Sequence, residues 1–415
     1  MNNRPNGTAP RVLILVQNLP VPFDRRVWLE AQALRDEGYS VSVVCPRLND
    51  LKPYQVIDGI EVYSTPVYAP GGSAAGFVLE YAQSFVAFAW TALKARRRGK
   101  FAAVQSCNPP DIFWPIGRLL RRLDGSEYVF DHHDLCPELY RSRFGSGPSL
   151  PLKGLLTLER LTFKTAARVI STNESYASVA VERGGVDPEH VTVVRTGPDP
   201  ERMAMVEPEP SLRRGKDFLA TYIGVMGPQD GVDYIVRAAD VIVNRMGRKD
   251  IYFALMGKGD SFDELVALRD SLGLQDYVEF MGRVPDETVA AVMSTADIGL
   301  SPDPLNPLND VSTMNKTMEY MAYSLPVVAF DLRETKVSAS ESAVYVEPND
   351  IAKYAEAIVR LIEDPRRRAR MGSAGRDRVV NELAWPHQRK AYLGVYRGLL
   401  GPARALRAAD LPAEV

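Results

Sequence analysis

The first regular pattern in the chain is residues 11–46, RVLILVQNLPVPFDRRVWLEAQALRDEGYSVSVVCP. It begins with an apolar run over 11–17, which has the length of one buried strand and is followed by turn-forming residues. A helical spacing of apolar residues comes next and ends at Gly38, and a second apolar run ends at Pro46. A strand–helix–strand unit of about 35 residues is typical of a parallel α/β sheet.

The same alternation continues in two series along the chain. The polar segment 207–217, EPEPSLRRGKD, lies between them and predicts a domain boundary or a surface loop. We therefore predict an α/β fold of two Rossmann-like domains, each with a doubly wound parallel sheet, over residues 1–200 and 201–385. Residues 386–415 are expected to form a C-terminal helix and tail that pack back toward the N-terminal domain. In such folds ligands bind at the carboxyl ends of the strands, here in an interdomain cleft.

Composition excludes several classes of protein. The 415 residues are 46% apolar and 25% charged, which is the balance of a soluble globular chain. A formal net charge of −2 gives no general case for nucleic-acid binding. The three cysteines are too few and too scattered for a disulfide framework or a zinc site, and they fit a reducing compartment. Since MNNRPNGTAP resembles no secretory signal, we expect a cytoplasmic protein.

One apolar–basic stretch has two interpretations. Residues 81–93 form the longest uncharged helical candidate, which is too short for a membrane span of ~20 apolar residues. Its aromatic and apolar residues precede a basic cluster, and a second apolar–basic stretch occupies 118–122. The residues concerned are Phe85, Phe88, Trp90 and Leu93, then Lys94, Arg96, Arg97, Arg98 and Lys100. The pattern fits peripheral contact with an anionic membrane at the inner face of the cell membrane. It also fits a core helix with a solvated basic end, which is the more common use of such a pattern.

The loop after the first predicted strand, residues 18–26, occupies a usual ligand position. It contains no G-x-G-x-x-G fingerprint, which argues against a conventional NAD site. Arg25 and Arg26 open the next helix and could reach an anionic ligand, or they could pair with nearby carboxylates. The loop after Cys107 and the loop after Val67, APGGSAAG, are expected to line an acceptor pocket together with this one.

Two adjacent histidines follow the predicted strand EYVF, with a carboxylate on either side of the pair: Asp131-His132-His133-Asp134. Adjacent residues of a strand face opposite ways, so the two histidines are not expected to share one metal ion. We predict that one of them faces the cleft and is oriented by a carboxylate. The alternative is a buried histidine bonded to the backbone.

Small residues and cations recur at strand ends in the second series. They are Gly224–Gly231, Met256-Gly257-Lys258-Gly259, Phe280-Met281-Gly282-Arg283-Val284-Pro285, and Thr313-Met314-Asn315-Lys316 before Glu319. Small residues let the backbone approach a ligand, and amides at a helix N-terminus favour phosphate. With three cations nearby, the arrangement predicts a nucleotide diphosphate site.

The order of these motifs resembles the two-domain retaining glycosyltransferases of the GT-B fold, family 4, in the glycogen synthase/WbuB-like group. The segment 315–322 followed by 325–329 is similar to the family's donor-site helix and the strand after it. The resemblance implies an acceptor-binding N-terminal domain and a donor-binding C-terminal domain. It implies that Glu319 holds the ribose and that the 282–285 turn contacts the nucleobase. The segment 195–199 resembles the family's interdomain crossing.

His133-Asp134 matches the family's acceptor-domain His-Asp, whose histidine lies beside the sugar and the reacting phosphate. Two departures accompany the resemblance. The family's first glutamate of E-x7-E falls on Val311, with Asp310 beside it. The arginine and lysine of the family's glycine-rich loop fall on Val225 and Asp230. Other cations or backbone amides must then meet the diphosphate charge.

The resulting hypothesis is transfer of a sugar, with retention, from a UDP- or GDP-linked donor in envelope or exopolysaccharide synthesis. The acceptor would be a glycan, a lipid-linked molecule or a small molecule, and no metal or other cofactor is expected. The expected catalytic residues are His133, Asp134, Lys316 and Glu319. The expected donor-binding residues are Gly224, Gly227, Lys258, Arg283, Val284, Thr313, Met314, Asn315, Asp310 and Arg195. The expected acceptor-binding residues are Asp24, Arg26 and Asn108. Alternatives are a GT-B-type sugar-nucleotide epimerase and a non-catalytic nucleotide-sugar binding protein.

Overall fold

A computed structural model describes residues 9–48, 51–67, 74–145, 147, 149–200 and 202–401. Most of the loop after Val67 and the C-terminal tail lie outside these residues. The described residues form two compact units. The first comprises those of 1–140, 147–194 and 389–415, and the second comprises those of 141–146 and 195–388.

Eight described strands form the sheet of the first unit. They are β1 (Arg11–Val16), β2 (Ser40–Pro46), β3 (Tyr54–Ile57), β4 (Ile60–Thr65), β5 (Ala103–Cys107), β6 (Glu127–His132), β7 (Arg168–Ser171) and β8 (Val191–Val193). The helices between them are α1 (Arg25–Asp36), α2 (Ala74–Arg96), α3 (Trp114–Asp124), α4 (Cys136–Phe144), α5 (Leu150–Thr165) and α6 (Glu174–Glu182).

The order of this sheet is β3-β4-β2-β1-β5-β6-β7-β8, and every pair is parallel except β3–β4. The chain moves outward from β1 in one direction and then returns to β5, so the strand order reverses between β1 and β5. The register places Val16 beside Cys107 and Cys107 beside Asp131. The carboxyl ends of the three central strands therefore meet at one edge, where ligands of such sheets bind.

The second unit repeats the design with six described strands in the order β11-β10-β9-β12-β13-β14, all parallel. They are β9 (Phe218–Ile223), β10 (Ile251–Met256), β11 (Val278–Gly282), β12 (Ile298–Ser301), β13 (Val327–Phe330) and β14 (Ala343–Val346). Its helices are α7 (Val232–Asp240), α8 (Phe262–Ser271), α9 (Asp286–Thr295), α10 (Asn315–Ala322), α11 (Arg333–Ala339), α12 (Ile351–Ile362) and α13 (Pro365–Arg378). Here the order reverses between β9 and β12. The predicted pair of doubly wound parallel sheets is confirmed.

One element differs from the sequence prediction. The short strand β3 was not predicted, because three half-buried residues and one exposed residue give little periodicity before their antiparallel turn to β4. The last helix, α14 (Trp385–Leu400), starts in the second unit and belongs to the first from Arg389 onward.

Helix α2 has a buried aromatic side and an exposed apolar side. Phe88 is 1% exposed and stacks on Phe113 with ring centroids 4.8 Å apart, so this side belongs to the core. Leu79, Val86 and Trp90 are 58%, 65% and 67% exposed on the same helix. Among the described residues, no helix is long and apolar enough to cross a bilayer.

Candidate active site

The carboxyl edge of the first sheet is organised by the buried side chain of Asn108, directly after β5. Its Oδ1 accepts hydrogen bonds from the backbone N–H of His133 at 2.6 Å and of Asp134 at 3.1 Å. Its Nδ2 donates to the carbonyl of Asp134 at 2.7 Å. Asn108 was predicted to bind the acceptor. In the structure both ends of its amide instead hold the backbone of the predicted catalytic pair, His133 and Asp134.

Beneath His133 lies a buried charged cluster around the guanidinium of Arg26, in the first turn of α1. Its Nη2–H donates to Asp131 Oδ1 at 2.9 Å, and its Nη1–H donates to the carbonyl of Val194 at 2.8 Å. Its Nε lies 3.1 Å from Glu30 Oε1 and 2.8 Å from His133 Nε2. Arg26 was predicted to bind the acceptor, but the structure gives it these internal partners and leaves it 7% exposed.

The protonation of this cluster follows from burial and charge. Burial raises the pKa of Asp131, but Arg26 and His133 outweigh it and bring the value well below the usual range. Burial and the neighbouring Asp131 raise the pKa of Glu30 well above its usual range. The cluster therefore holds a carboxylate at Asp131 and favours a proton on Glu30.

His133 Nε2 lies 2.6 Å from Asp131 Oδ2. The Nε–H of Arg26 is also directed at this nitrogen, at 2.8 Å, and not at Glu30 Oε1. Since the Asp131 carboxylate can only accept, we assign the proton of the shorter bond to Nε2. His133 Nδ1 has no hydrogen-bond partner among the described residues, and the side chain is 16% exposed. His133 therefore presents Nδ1 outward while Asp131 holds the opposite side of its ring.

Donor atoms suited to a metal occur in the same cluster. Ligand atoms of Glu30, Cys107, Asp131 and His133 all lie within 4.8 Å of one another. The guanidinium of Arg26 already supplies a positive charge among them, and burial raises the pKa of the Cys107 thiol well above its usual range. A protonated thiol is a poor metal ligand, so the set does not fit a metal site.

His132 faces the other side of β6, as the alternation of a strand requires. Its ring is fully buried and lies between 5.1 and 5.3 Å, centroid to centroid, from Phe130, Phe163 and Tyr176. Burial, then Arg183, lowers the pKa of His132 to about 3. It is therefore a neutral core residue, whereas burial raises the pKa of the predicted catalytic Asp134 to about 6.

The remaining residue predicted to bind the acceptor, Asp24, caps α1 by accepting from the backbone N–H of Val27 at 3.1 Å. This is the usual use of aspartate at a helix N-terminus, and it explains why the helix starts at Arg25.

In the second unit, three glycines bring the ends of β9, β10 and β11 into backbone contact. The N–H of Gly224 donates to the carbonyl oxygen of Met256 at 3.1 Å, and the N–H of Gly257 donates to the carbonyl oxygen of Gly282 at 2.8 Å. A Cβ at Gly257 would lie 1.8 Å from the Gly224 carbonyl oxygen, and its φ of +134° also requires glycine. These loops pack closely because they lack side chains.

Lys316, in the first turn of α10, lies at the point where the strand order of the second sheet reverses. Its ammonium pairs with the carboxylate of Asp303 and lies 5.3 Å from the ring centre of Tyr222. Burial would lower the pKa of Lys316, but Asp303 and Asp230 raise it above its usual value. Lys316 therefore keeps a positive charge beside Gly224, whose added Cβ would approach Lys316 Cε to 3.3 Å.

Asp303 is not among the residues predicted from the sequence. It is 2% exposed, and its Oδ2 accepts from the hydroxyl of Ser301 at 2.7 Å. A signal was available, because Asp303 directly follows the stretch DIGLSP at residues 297–302, which has the pattern of a short strand, and ligands bind at strand ends. Gln105 was also missed, although a polar residue inside the buried strand pattern AAVQSC was visible.

Other residues predicted to bind the donor have varied surroundings. Asp310 accepts from the backbone N–H of Arg333 at 2.9 Å, at the start of α11. The Arg195 guanidinium lies 3.8 Å from Glu334. Gly227 donates its N–H to the Asp230 carboxylate at 2.9 Å.

The remaining residues predicted for the donor site differ in how exposed they are to solvent. Lys258, Arg283 and Asn315 are exposed, Thr313, Val284 and Glu319 are half-buried, and Met314 is 9% exposed. Glu319 is on α10, one turn beyond Lys316. The two residues in place of the family's diphosphate cations are Val225, which is 60% exposed, and Asp230.

These features define a class of protein with two doubly wound α/β units, each with polar residues at the carboxyl edge of its sheet. Two family models match the chain: the Glycosyl transferase 4-like domain over residues 24–197 and the Glycosyl transferases group 1 domain over residues 217–364. The chain belongs to the GT-B glycosyltransferases and resembles their family 4.

Curated relatives and a solved structure agree with this assignment. A D-inositol 3-phosphate glycosyltransferase of Thermomonospora curvata is 29% identical over 269 residues, or 60% of either chain. The GPI3 subunit of the Saccharomyces cerevisiae phosphatidylinositol N-acetylglucosaminyltransferase is 22% identical over 382 residues, 90% of this chain and 79% of that one. A sucrose-phosphate synthase of Thermosynechococcus elongatus superposes with a TM-score of 0.77 at 17% identity, over 94% of this chain and 99% of that one.

Proposed function

We propose that the protein transfers a sugar, with retention at the anomeric carbon, from a nucleotide diphosphate sugar to an acceptor. The observation that supports donor binding is Lys316, a cation whose side chain is only 10% exposed and lies beside glycine loops where the strand order of the second sheet reverses. Backbone amides and a fixed cation are what a diphosphate requires. The donor nucleotide is uridine or guanosine diphosphate, and Glu319 is proposed to hold its ribose.

Catalysis would rest on stabilising the leaving diphosphate and on positioning the acceptor. Lys316 and the amides of the glycine loops would meet the charge that develops on the leaving phosphate. A phosphate oxygen of the leaving group would take the proton of the acceptor hydroxyl. His133 would use Nδ1 as an acceptor for a sugar hydroxyl, because Nε2–H is committed to Asp131.

We propose metal independence because Lys316 supplies in the donor half the positive charge that a divalent ion would otherwise provide. The prediction is that a metal chelator leaves the turnover of the donor unchanged. A loss of turnover that Mg²⁺ or Mn²⁺ restores would contradict this part of the proposal.

For the acceptor we propose a lipid-linked molecule of envelope polysaccharide synthesis at an anionic membrane. The exposed face of α2, formed by Leu79, Val86 and Trp90, borders a shallow groove of about 520 Å³ that Pro66 also lines. Exposed basic residues follow it. They are Lys94, Arg97, Arg98 and Lys100. Apolar side chains beside basic ones suit an anionic bilayer surface, and the yeast relative carries a phosphatidylinositol-linked activity in its name.

The donor is tested by thermal stability against a panel of nucleoside diphosphates and their sugars. A ligand at 100 times its Kd adds about 2.7 kcal/mol to the free energy of unfolding. Stabilisation by one base family, followed by release of that diphosphate and an α-configured product from an α-linked donor, is the expected result. A folded protein that none of these ligands stabilises would contradict the proposal.

The membrane is tested by flotation with vesicles of phosphatidylglycerol and with neutral vesicles. We expect binding to the anionic vesicles that Trp90→Glu abolishes. Met246→Glu serves as the matched control, because Met246 is 39% exposed on the second unit. Equal binding of wild type and Trp90→Glu would contradict the role of α2.

A further inference from the structure

The side chain of Gln105 lies fully buried in β5 and uses every hydrogen-bonding position of its amide. Its Nε2 donates to Glu30 Oε2 at 2.7 Å and to Asp131 Oδ2 at 3.2 Å. Its Oε1 accepts from the hydroxyl of Tyr392 at 2.9 Å and from the hydroxyl of Tyr396. Two donors and two acceptors are the full capacity of a glutamine amide.

The two tyrosines fix which way this amide points. Burial raises the pKa of both hydroxyls well above their usual range, so they remain protonated and able to donate. A hydroxyl proton directed at the amide selects its oxygen, and the nitrogen must then face the carboxylates. The reversed amide would set its oxygen against the ionised carboxylate of Asp131, which is unfavourable in a buried site.

Asp131 is therefore held from two sides. Arg26 donates to Oδ1, while Gln105 and His133 share Oδ2. Among the residues of this cluster, His133 is the one that is partly exposed. The hydroxyls of Tyr392 and Tyr396 on α14 are thus connected to the ring of His133 by consecutive hydrogen bonds through Gln105 and Asp131.

We propose that Gln105, Tyr392 and Tyr396 are positioning residues that hold the Asp131 carboxylate so that His133 keeps its proton on Nε2 and presents Nδ1 as an acceptor. The functional part of this inference rests on the proposed glycosyl transfer. None of the three residues touches the substrate. They act on His133 through Asp131, and their loss favours the opposite ring tautomer, which would present a donor where the reaction needs an acceptor.

The tautomer can be observed directly, because the chain contains only four histidines. Long-range ¹H–¹⁵N spectra of protein labelled at histidine separate the two tautomers, and His133→Asn assigns the His133 signals. We expect the Nε2–H form in the wild type. We expect a clear gain of the Nδ1–H form in Gln105→Leu and in the double variant Tyr392→Phe, Tyr396→Phe.

Tyr39→Phe is the matched control. Tyr39 is 1% exposed, its ring lies 6.1 Å from that of Tyr396, and its hydroxyl donates to the carbonyl of Gly401 at 3.0 Å, away from Gln105. It loses one buried tyrosine hydroxyl next to the same helix. Its His133 spectrum is expected to match the wild type even where its thermal stability falls.

Activity supplies the second measurement. We expect Gln105→Leu to lower donor turnover at least about tenfold, the size of effect that loss of an outer-shell partner has at metal sites, while the Kd for the nucleotide changes less than about twofold. Unchanged His133 signals in folded Gln105→Leu and double-variant proteins would overturn the proposal. So would the same change in Tyr39→Phe. If the tautomer changes as expected but the wild type turns over no donor, the positioning stands and the proposed transfer fails.

Discussion

Replacing Lys316 with methionine tests two roles of this residue. One is the ion pair with Asp303, which stabilises the fold, and the other is the proposed contact with the donor diphosphate. Lys316 and Asp303 have side chains only 10% and 3% exposed, and the substitution leaves the Asp303 carboxylate with the Ser301 hydroxyl as its remaining described donor. Removing one partner of a buried ion pair costs about 3–5 kcal/mol. We therefore expect Lys316→Met to lower the free energy of unfolding by about that amount.

The double variant Lys316→Met, Asp303→Asn also removes the negative charge of Asp303, which Lys316→Met alone leaves without its cation. Asparagine keeps the shape of the side chain and can still accept from Ser301. We expect the double variant to be more stable than Lys316→Met alone by about 2 kcal/mol. Urea unfolding followed by circular dichroism, for the wild type, both single variants and the double variant, completes a double-mutant cycle.

Nucleotide binding to the double variant then tests whether Lys316 contacts the donor diphosphate. If Lys316 meets the diphosphate, the double variant is folded but gains none of the roughly 2.7 kcal/mol that a ligand at 100 times its Kd supplies. Wild-type stabilisation of the double variant by the nucleotide would refute the donor role of Lys316. A cost below about 1 kcal/mol for Lys316→Met would refute the buried pair itself.

Three further predictions use other features of the two units. Gly257→Ala, whose Cβ would lie 1.8 Å from the Gly224 oxygen, should weaken nucleotide binding and cost at least about 2 kcal/mol of stability, whereas Gly247→Ala, with no atom within 4 Å, should cost less and leave binding intact. Because the pKa of His132 falls from 6.5 to about 3 on folding, the unfolded chain takes up its proton first as pH falls. Relative to His132→Phe, the wild type should therefore lose about 2 kcal/mol between pH 7.5 and pH 5 in denaturant titrations, and parallel curves would contradict this. A chelator should leave donor turnover unchanged in a coupled assay of nucleoside diphosphate release.

Much of the fold follows from residues close together in the chain. The apolar run at 11–17 became β1, and its strand–helix–strand unit was paired in parallel as expected. Strands buried on both faces are continuous apolar runs, and these are visible without any tertiary information. The adjacent histidines also separated as strand alternation predicts, with His132 in an aromatic core and His133 beside Asp131.

The candidate site was only partly visible in the sequence. The sequence singled out His133 and Lys316, and it predicted that a carboxylate orients one histidine without choosing between Asp131 and Asp134. It did not reveal Asp303 as the partner of Lys316. It assigned Arg26 and Asn108 to the acceptor, whereas the structure shows their polar atoms bonded to protein groups. A polar residue near a strand end can meet a ligand or a neighbouring chain segment, and the one-dimensional pattern is the same for both.

The sequence by itself therefore determined the alternation of elements, the two parallel sheets and the strand ends where ligands would bind. Those properties depend on periodicity and on turn residues within a few positions. Tertiary structure alone decided which groups meet, because such contacts join residues far apart in the chain. Tyr396 and Gln105 are 291 residues apart, and Arg26 and Asp131 are 105 apart. Their pairing depends on buried groups having to find hydrogen-bond partners within the folded chain.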